Sequence, residues 1–543
     1  MSRIDLRDVL KFLYKESIMN NNFLKLISVA VAAASLAACG SDSDSNSNSN
    51  SNSNSSTSYN TSSNPAFSFD NTTYVGAVDP AATSEWYSFA LPGSYPATAA
   101  EIDTASTSAG TFTPSVKFAP SMTGITAATE CPSLAGNSLL TVKQSATTAT
   151  VDLDGQTFVV CEVSGTFTEN ATLTSDVVWS MVNRVNVGNG NGPQTSSTTF
   201  SDMVLTIEAG TQLMNTAGSS MVVTRGSQVM AEGTAEQPIV FSGITTTDDF
   251  GADAEWGGLV LQGYAYHNNC GDFKTETVCN QAGEGDSGFF GGFDNSDSSG
   301  TLKYVVVTEA GLELDNGDEL NGIGFMAVGY GTTIDYVQVH NNVDDGVEFF
   351  GGAVDAKHLV LTGIKDDNID WDEGYVGNIQ YALIVQYQNQ DKSSNHTFEM
   401  DTAGDAKEST YQESNPTVAN VTAIADHSTA TYGADNIGNG IHLKKGSEGV
   451  FVNTLIVGDI NNCVYIDDDT VESTVAKAND GSINSAFVNV HCGTVATLKN
   501  NSAYTLDSVN TLTSVSLSDT LAETAIGAVT ATIKSAEVDG TAK

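Results

Sequence analysis

Positive charge is what this chain most lacks. It has 21 lysines and arginines against 65 aspartates and glutamates in 543 residues, a net charge of −44 at pH 7. With so few bases to neutralise phosphates, nucleic-acid partners are excluded. Polyanionic glycans are excluded too, unless cations bridge. Proline is scarce, at 10 residues, while Ser, Thr, Asn, Gly and Val abound. That composition suits short strands and many turns rather than helices. CxxC, CxxCH, GxSxG and Walker-type motifs are absent, and the seven histidines are scattered. Structural zinc, haem, a nucleophile elbow and a phosphate loop therefore have no sequence support. Beyond residue 39 no uncharged apolar run is long enough to form a transmembrane helix.

What is present starts at the N-terminus. Residues 23–39 read "FLKLISVAVAAASLAAC". Lys25 precedes an apolar run that ends in Leu36-Ala37-Ala38-Cys39, which resembles a bacterial lipobox. The resemblance implies cleavage before Cys39 and lipidation of its thiol; an ordinary signal peptide ending near a cysteine is the alternative. Met19 is the expected true start, so residues 1–38 read as a signal peptide. Gly40 replaces the aspartate associated with inner-membrane retention. The expected location is the outer membrane, at the cell surface or the periplasmic face, with a lipid anchor as the membrane contact. Residues 39–65 comprise the lipidated cysteine and a Ser/Asn tether, "SDSDSNSNSNSNSNSS", with no side chains to bury.

Six further cysteines remain: Cys131, Cys161, Cys270, Cys279, Cys463 and Cys492. An even number in an oxidising compartment points to disulfides. Of the possible connectivities, nearest-neighbour pairing is expected: 131–161, 270–279 and 463–492.

Residues 66–165 read as an N-terminal β-rich region of open topology, and residues 166–520 as a repeat. "LNGIGF", "DDGVEF", "DDNIDW", "NHTFEM", "GNGIHL" and "NNCVYI" begin at Leu320, Asp344, Asp366, Asn395, Gly438 and Asn461. A second family alternates with them: "LKYVVV" at Leu302, "IDYVQV" at Ile334, "AKHLVL" at Ala356, "IQYALI" at Ile379 and "VANVTA" at Val418. The basic period of about 22 residues is a solenoid signature. It is too short for βαβ units or propeller blades. The expected fold is all-β, a right-handed parallel β-helix with loops inserted on one side, and residues 521–543 as a C-terminal cap or tail.

Alternation then sorts the segment "DDNIDWDEGY" (366–375). Val347 and Phe349, Ile369 and Trp371, Phe398 and Met400, Ile441 and Leu443, and Val464 and Ile466 face the core. Outward stand Gly324, Glu348, Asp370, Glu399, His442 and Tyr465, bordered by Met326, Phe350, Asp372, Asp401, Lys444 and Asp467. The preceding turn gives a column of Asn321, Asp345, Asp367, His396, Asn439 and Asn462, expected to cap coil corners. Asp344 and Asp366 are left for ligand binding, and Tyr375 is expected at the surface. If the coils stack in register, Glu348, Asp370 and Glu399 form a ladder of like charge. Carboxylates about 5 Å apart repel by about 3 kcal/mol at an effective dielectric of 20, which a cation would relieve. Calcium suits such oxygen ligands. The candidate metal ligands are Asp344, Glu348, Asp366, Asp370, Asp372 and Glu399, and separately Asp294 and Asp297 in "DNSDSSG".

"WGGLVLQG" (256–263), the loop "GEGDSGFFGGFDNSDSSGTLKYVVVTEAG" (283–311), "DDGVEFFGG" (344–352) and "DDNIDWDEGY", in that order, resemble a family of bacterial surface lipoproteins that includes a leptospiral outer-membrane lipoprotein. The resemblance covers about residues 175–470. It implies a β-helical, surface-located protein and supplies no catalytic residues.

Three functions stay open. The first is a non-enzymatic surface binding or structural protein, stabilised by calcium. The second is a polysaccharide-active hydrolase or lyase. Glu348 and Asp370 would then be its carboxylate pair, since retaining glycosidases place theirs about 5 Å apart. Only Lys365, Lys444 and Lys445 are available as a base for a lyase. The third is an accessory lipoprotein of an outer-membrane nutrient receptor. The corresponding partners are a glycan or an outer-membrane protein.

Overall fold

The computed structural model describes residues 60–70, 72, 76–79, 86–94, 120–198, 200, 202–244, 254–272, 275–312, 319–386, 396–402, 412–426, 438–459, 462–466, 485–492 and 498–500. The signal, the lipobox, the tether up to residue 59, residues 95–119, Asp467 and the C-terminal segment 501–543 lie outside them.

The chain is a parallel β-helix. Each coil puts a short strand on a first face. The series runs Ser220–Val223, Gly258–Gln262, Ile323–Met326, Val347–Phe350, Ile369–Asp372, Phe398–Met400, Ile441–Leu443, Val464–Ile466 and Leu498–Asn500. Each pairs in parallel with the next. The chain then makes one longer strand per coil: Gly300–Thr308, Thr333–His340, Asp355–Thr362, Asn378–Val385, Thr417–Asp426, Val450–Asp459 and Ala486–Cys492. These also stack in parallel.

Each of the first six long strands bends at one left-handed residue: Tyr304, Tyr336, His358, Tyr381, Asn420 or Asn453, with φ between 51° and 66°. The bend splits it into a second and a third face. Left-handed geometry is uncommon for bulky side chains. Here the corner residues support one another. The rings of Tyr304, Tyr336, His358 and Tyr381 stack with centroids 4.5, 4.2 and 4.8 Å apart, and Asn420 and Asn453 continue the column.

The core lies inside the coils. Val347, Phe349, Ile369, Trp371, Phe398, Met400, Ile441, Leu443 and Val464 belong to one continuous apolar cluster, as alternation predicts. The side chain of Ile466 lies outside the described residues. Tyr375 departs from expectation: it is fully buried, stacks on Phe349 at 4.3 Å and donates its hydroxyl to Val354 O. Glu373 and Gly374 both have positive φ, 55° and 95°. They turn the chain back inward before Tyr375.

The N-terminal region divides in two. Leu140–Gln144 and Thr150–Leu153 pair antiparallel with Gln156–Phe167, which itself pairs in parallel with Val178–Val187. Parallel stacking thus begins ahead of residue 166. The described residues from 60 to 94 form no strand. They are a strap along the outside of the coils, with a 3-10 turn at Trp86–Phe89. Thr61 binds Asn378, Ala77 N binds Thr422 Oγ1, and Leu91 N binds Gln338 Oε1.

Disulfides join Cys131 to Cys161 and Cys270 to Cys279. The expected third pair includes Cys492, whose side chain is outside the described residues. Among the described residues no helix is long and apolar enough to cross a membrane.

Candidate functional site

Stacking in register builds an acidic first face. Glu348 lies opposite Asp370, Asp370 opposite Glu399, Glu399 opposite His442 and His442 opposite Tyr465. Asp372 sits beside this column, opposite Phe350. The turn column is a hydrogen-bonded ladder. Asp345 Oδ1 accepts from Asp367 N at 2.9 Å, and Asp367 Oδ1 accepts from His396 N. His396 Nδ1 accepts from Asn439 N at 2.7 Å, and Asn439 Oδ1 from Asn462 Nδ2 at 2.8 Å. Each rung satisfies a donor of the next coil at a corner where no strand partner is available.

The face has two halves of different chemistry. In the upstream half nearly everything is carboxylate. Glu348 and Asp370 are each only 9% exposed. Burial, reinforced by neighbouring carboxylates, pushes Asp345, Glu348, Asp367, Asp370 and Asp372 well above the usual range. Ligand oxygens converge within 4.8 Å in the groups Asp345/Glu348/Asp370, Glu319/Asp344/Asp366, Asp345/Asp366/Asp367 and Asp367/Asp370/Glu399. Asp370 Oδ1 is buried with no hydrogen-bond partner among the described residues. These donors are hard oxygens, and they fit a hard divalent cation.

The downstream half neutralises itself. Lys444 Nζ lies 2.7 Å from Glu399 Oε2 and 3.6 Å from Asp401 Oδ2, and Lys445 Nζ lies 3.0 Å from Asp401 Oδ2. Burial pushes Glu399 up, but His442, Lys444 and His396 outweigh it and hold it well below the usual range. Asp401 is pushed up to about 6 by burial, against the pull of Lys444. Burial opposes the charge on Lys444, yet Glu399, Asp401 and Asp370 raise its pKa above the ordinary lysine value.

His396, Glu399 and His442 also converge within 4.8 Å. A transition metal is nevertheless a poor fit. The Asn439 N–H bond fixes Nδ1 of His396 as an acceptor, so the neutral ring carries its proton on Nε2. That atom faces His442 Nδ1 at 3.0 Å and Glu399 Oε1 at 3.7 Å. A protonated nitrogen does not ligate a metal.

Of the sequence candidates, Glu348, Asp370, Asp366, Asp344 and Glu399 come together, and Asp372 borders them. Asp294 and Asp297 do not join them. Asp294 Oδ1 closes a turn onto Ser296 N at 2.9 Å, and Asp297 Oδ2 accepts from Tyr264 N at 2.8 Å. Glu373 is held by His267 and Asn269. Sequence reasoning missed Glu319 and Glu284, which lie outside the repeated strings. Asp345 and Asp367 cap the corner as expected, and their carboxylates also join the converging oxygen groups.

The model of the pectate-lyase-like β-helix domain family matches residues 144–534. No curated protein matches the chain, and no solved structure matches it.

Proposed function

The chain belongs to the family of pectate-lyase-like β-helix domains, and from that premise we propose that it is an exported, lipid-anchored protein whose acidic face holds calcium, in a binding or structural role rather than a catalytic one. The observation that carries this reading is the Asp345/Glu348/Asp370 group, with the orphaned Oδ1 of Asp370 inside it. Within that buried cluster of like charge Lys444 offsets Asp370 only in part, and a cation supplies the remaining counter-charge. Calcium accepts irregular oxygen shells, whereas magnesium demands a near-octahedral one. The lipobox at Cys39, the Ser/Asn tether and the resemblance to surface lipoproteins support export and an outer-membrane anchor.

Two features favour a non-catalytic role. Lys444, clamped between Glu399 and Asp401, stays protonated and is a poor base for a lyase step. Among the described residues no aromatic side chain is exposed, the single exposed large apolar residue being Leu139. The aromatic rings that reach the described surface are half-buried, which leaves little face for stacking against a sugar.

The test is metal analysis of the purified, untagged protein, followed by melting after chelation with and without millimolar calcium. A cation at 100 times its dissociation constant stabilises by about 2.7 kcal/mol. No bound metal and no rise in Tm would sink the reading. Anchoring is tested by fatty-acid labelling in cells, which Cys39→Ala abolishes.

The fold family and the neighbouring carboxylates of Glu348 and Asp370 support polysaccharide hydrolysis as a second reading. A reducing-sugar assay across neutral and acidic glycans decides it: activity lost in both Glu348→Gln and Asp370→Asn would put hydrolysis first. An accessory role at a nutrient receptor predicts co-purification with an outer-membrane protein after detergent extraction.

A further inference from the structure

An inserted loop reaches the upstream end of the acidic column. Its base is stapled by the Cys270–Cys279 disulfide. It then forms a hairpin, Gln281–Gly283 paired with Gly288–Phe290, whose tip carries Glu284. Two arginines hold this hairpin. Arg184 donates to the carbonyls of Gly285 and Asp286. Arg225, fully buried, donates to Cys279 O at 2.8 Å and Gly291 O at 3.2 Å. Gln262, on the first face, donates to Ser287 O at 3.2 Å. The tip is thereby pinned over the strand that precedes Ile323–Met326.

Asn321 Nδ2 donates both to Glu284 Oε2 at 3.2 Å and to Glu348 Oε2 at 2.6 Å, so one amide bridges the loop carboxylate and the column. Asn321 is 2% exposed, and its Oδ1 has no hydrogen-bond partner among the described residues. A half-turn of this amide exchanges the two atoms and aims an oxygen at the carboxylates' side. The outward position directly above Glu348 is Gly324. A Cβ added there meets nothing closer than 3.8 Å, so space is open beside the two glutamates.

We propose that Glu284 is a further ligand of the cation site, delivered by the stapled hairpin, with Asn321 Oδ1 turning to join it when the ion binds. This rests on the cation reading above. The set becomes Glu284, Asn321, Asp345, Glu348 and Asp370, five oxygen donors from three coils and one insertion. Calcium takes about six to eight oxygen ligands, so five protein donors leave room for water to complete the shell. The hairpin then acts as a clasp: closing it completes the site, and filling the site holds it closed.

Calcium titration calorimetry on the chelated mature protein tests this, alongside melting with and without calcium. Glu284→Gln weakens calcium binding by roughly tenfold, since ligand charge sets affinity in such sites. Cys270→Ser/Cys279→Ser weakens it in the same direction. Asp286→Asn, on the same hairpin, binds as the parent does. The sign of the melting change separates ligation from mere packing. Without calcium Glu284→Gln raises Tm, because one of two facing carboxylates is gone; with calcium it lowers Tm relative to the parent. A Glu284→Gln protein that binds like the parent overturns the proposal while leaving the cation reading intact. So does one whose Tm falls in both conditions. Absence of binding in the parent protein overturns both.

Discussion

At the level of single residues, the two halves of the acidic face respond oppositely to charge removal. Asp370 is buried among Glu399, Asp401 and Asp372, with Lys444 as its partial counter-charge. Asp370→Asn keeps the shape and removes a repelled charge. The chelated protein should gain about 1–3 kcal/mol, and its response to calcium should shrink. Lys444→Met does the reverse, leaving Glu399 and Asp401 buried with one counter-ion fewer. A cost of about 3–5 kcal/mol follows from breaking a buried pair on one side. Urea unfolding of both variants with and without calcium checks the pair, and a stabilised Lys444→Met would refute this division of the face. Much of this was legible beforehand, because strand alternation assigns Glu348, Asp370 and Glu399 to one outward column without any structure. The burial of Tyr375 was not. Alternation stops at the strand's end, and the positive φ of Glu373 and Gly374 leaves no pattern in the string. Glu284 and Glu319 escaped for a different reason: they arrive from segments between repeats, where no register predicts a neighbour.

Among the elements, the corners carry more of the fold than the sequence suggests. The Asn/Asp turn column was readable, because those residues recur at one offset before each strand. Its hydrogen-bonding sense is now explicit, each side chain accepting from the next coil. Asp367 is the informative rung, since its carboxylate also belongs to the converging acidic groups. Asp367→Ala leaves His396 N–H without its acceptor and should cost about 1–3 kcal/mol. Asp367→Asn keeps an amide oxygen in place and sheds the charge. It should therefore be at least as stable as the parent after chelation. Equal losses in both variants, measured by chemical denaturation, would mean that the charge itself holds the corner. The opposite corner was visible but unread. The third residues of "LKYVVV", "IDYVQV", "AKHLVL", "IQYALI" and "VANVTA" are Tyr304, Tyr336, His358, Tyr381 and Asn420. A run of strand-forming residues conceals a bend, because stacked rings stabilise a backbone state that tyrosine seldom adopts alone.

For the molecule as a whole, a solenoid distributes stability along its length, each coil leaning on its neighbours. The strap at residues 60–94 modifies that picture. Tyr87 and Phe89 cover Val306, Val360 and Leu383 on the outside of the coils, tying together coils far apart in sequence. No periodicity announces such a segment, since its partners lie on the outer surface and its own backbone is irregular. The acidic face also acts on the whole molecule through pH. Carboxylates raised by burial bind more protons in the folded than in the unfolded chain, whose groups titrate near pH 4. Their destabilisation is absent at low pH and grows as pH rises from about 4 through the folded values. Each group titrating in a given window contributes a slope of about 1.4 kcal/mol per pH unit. Asp401, pushed up to about 6, and Glu309, pushed up to about 7 by burial and by Glu255, place part of this between pH 5 and 8. Glu399 has the opposite sign, but its contribution is lost only as pH falls below the ordinary carboxylate range, so it is constant in that window. His340, a buried ring lowered to about 3, opposes this between pH 5 and about 6.5 but offsets less than Asp401 and Glu309 contribute together, so the chelated protein should melt at lower temperature at pH 8 than at pH 5. Calcium, by neutralising the upstream half of the face, should reduce the fall. It should not abolish it, because Glu309 lies on another part of the coil and keeps its share. Glu309→Gln in calcium should flatten the remaining slope. A chelated protein whose Tm holds level or climbs from pH 5 to pH 8 would mean that the buried carboxylates are compensated by something other than a bound cation.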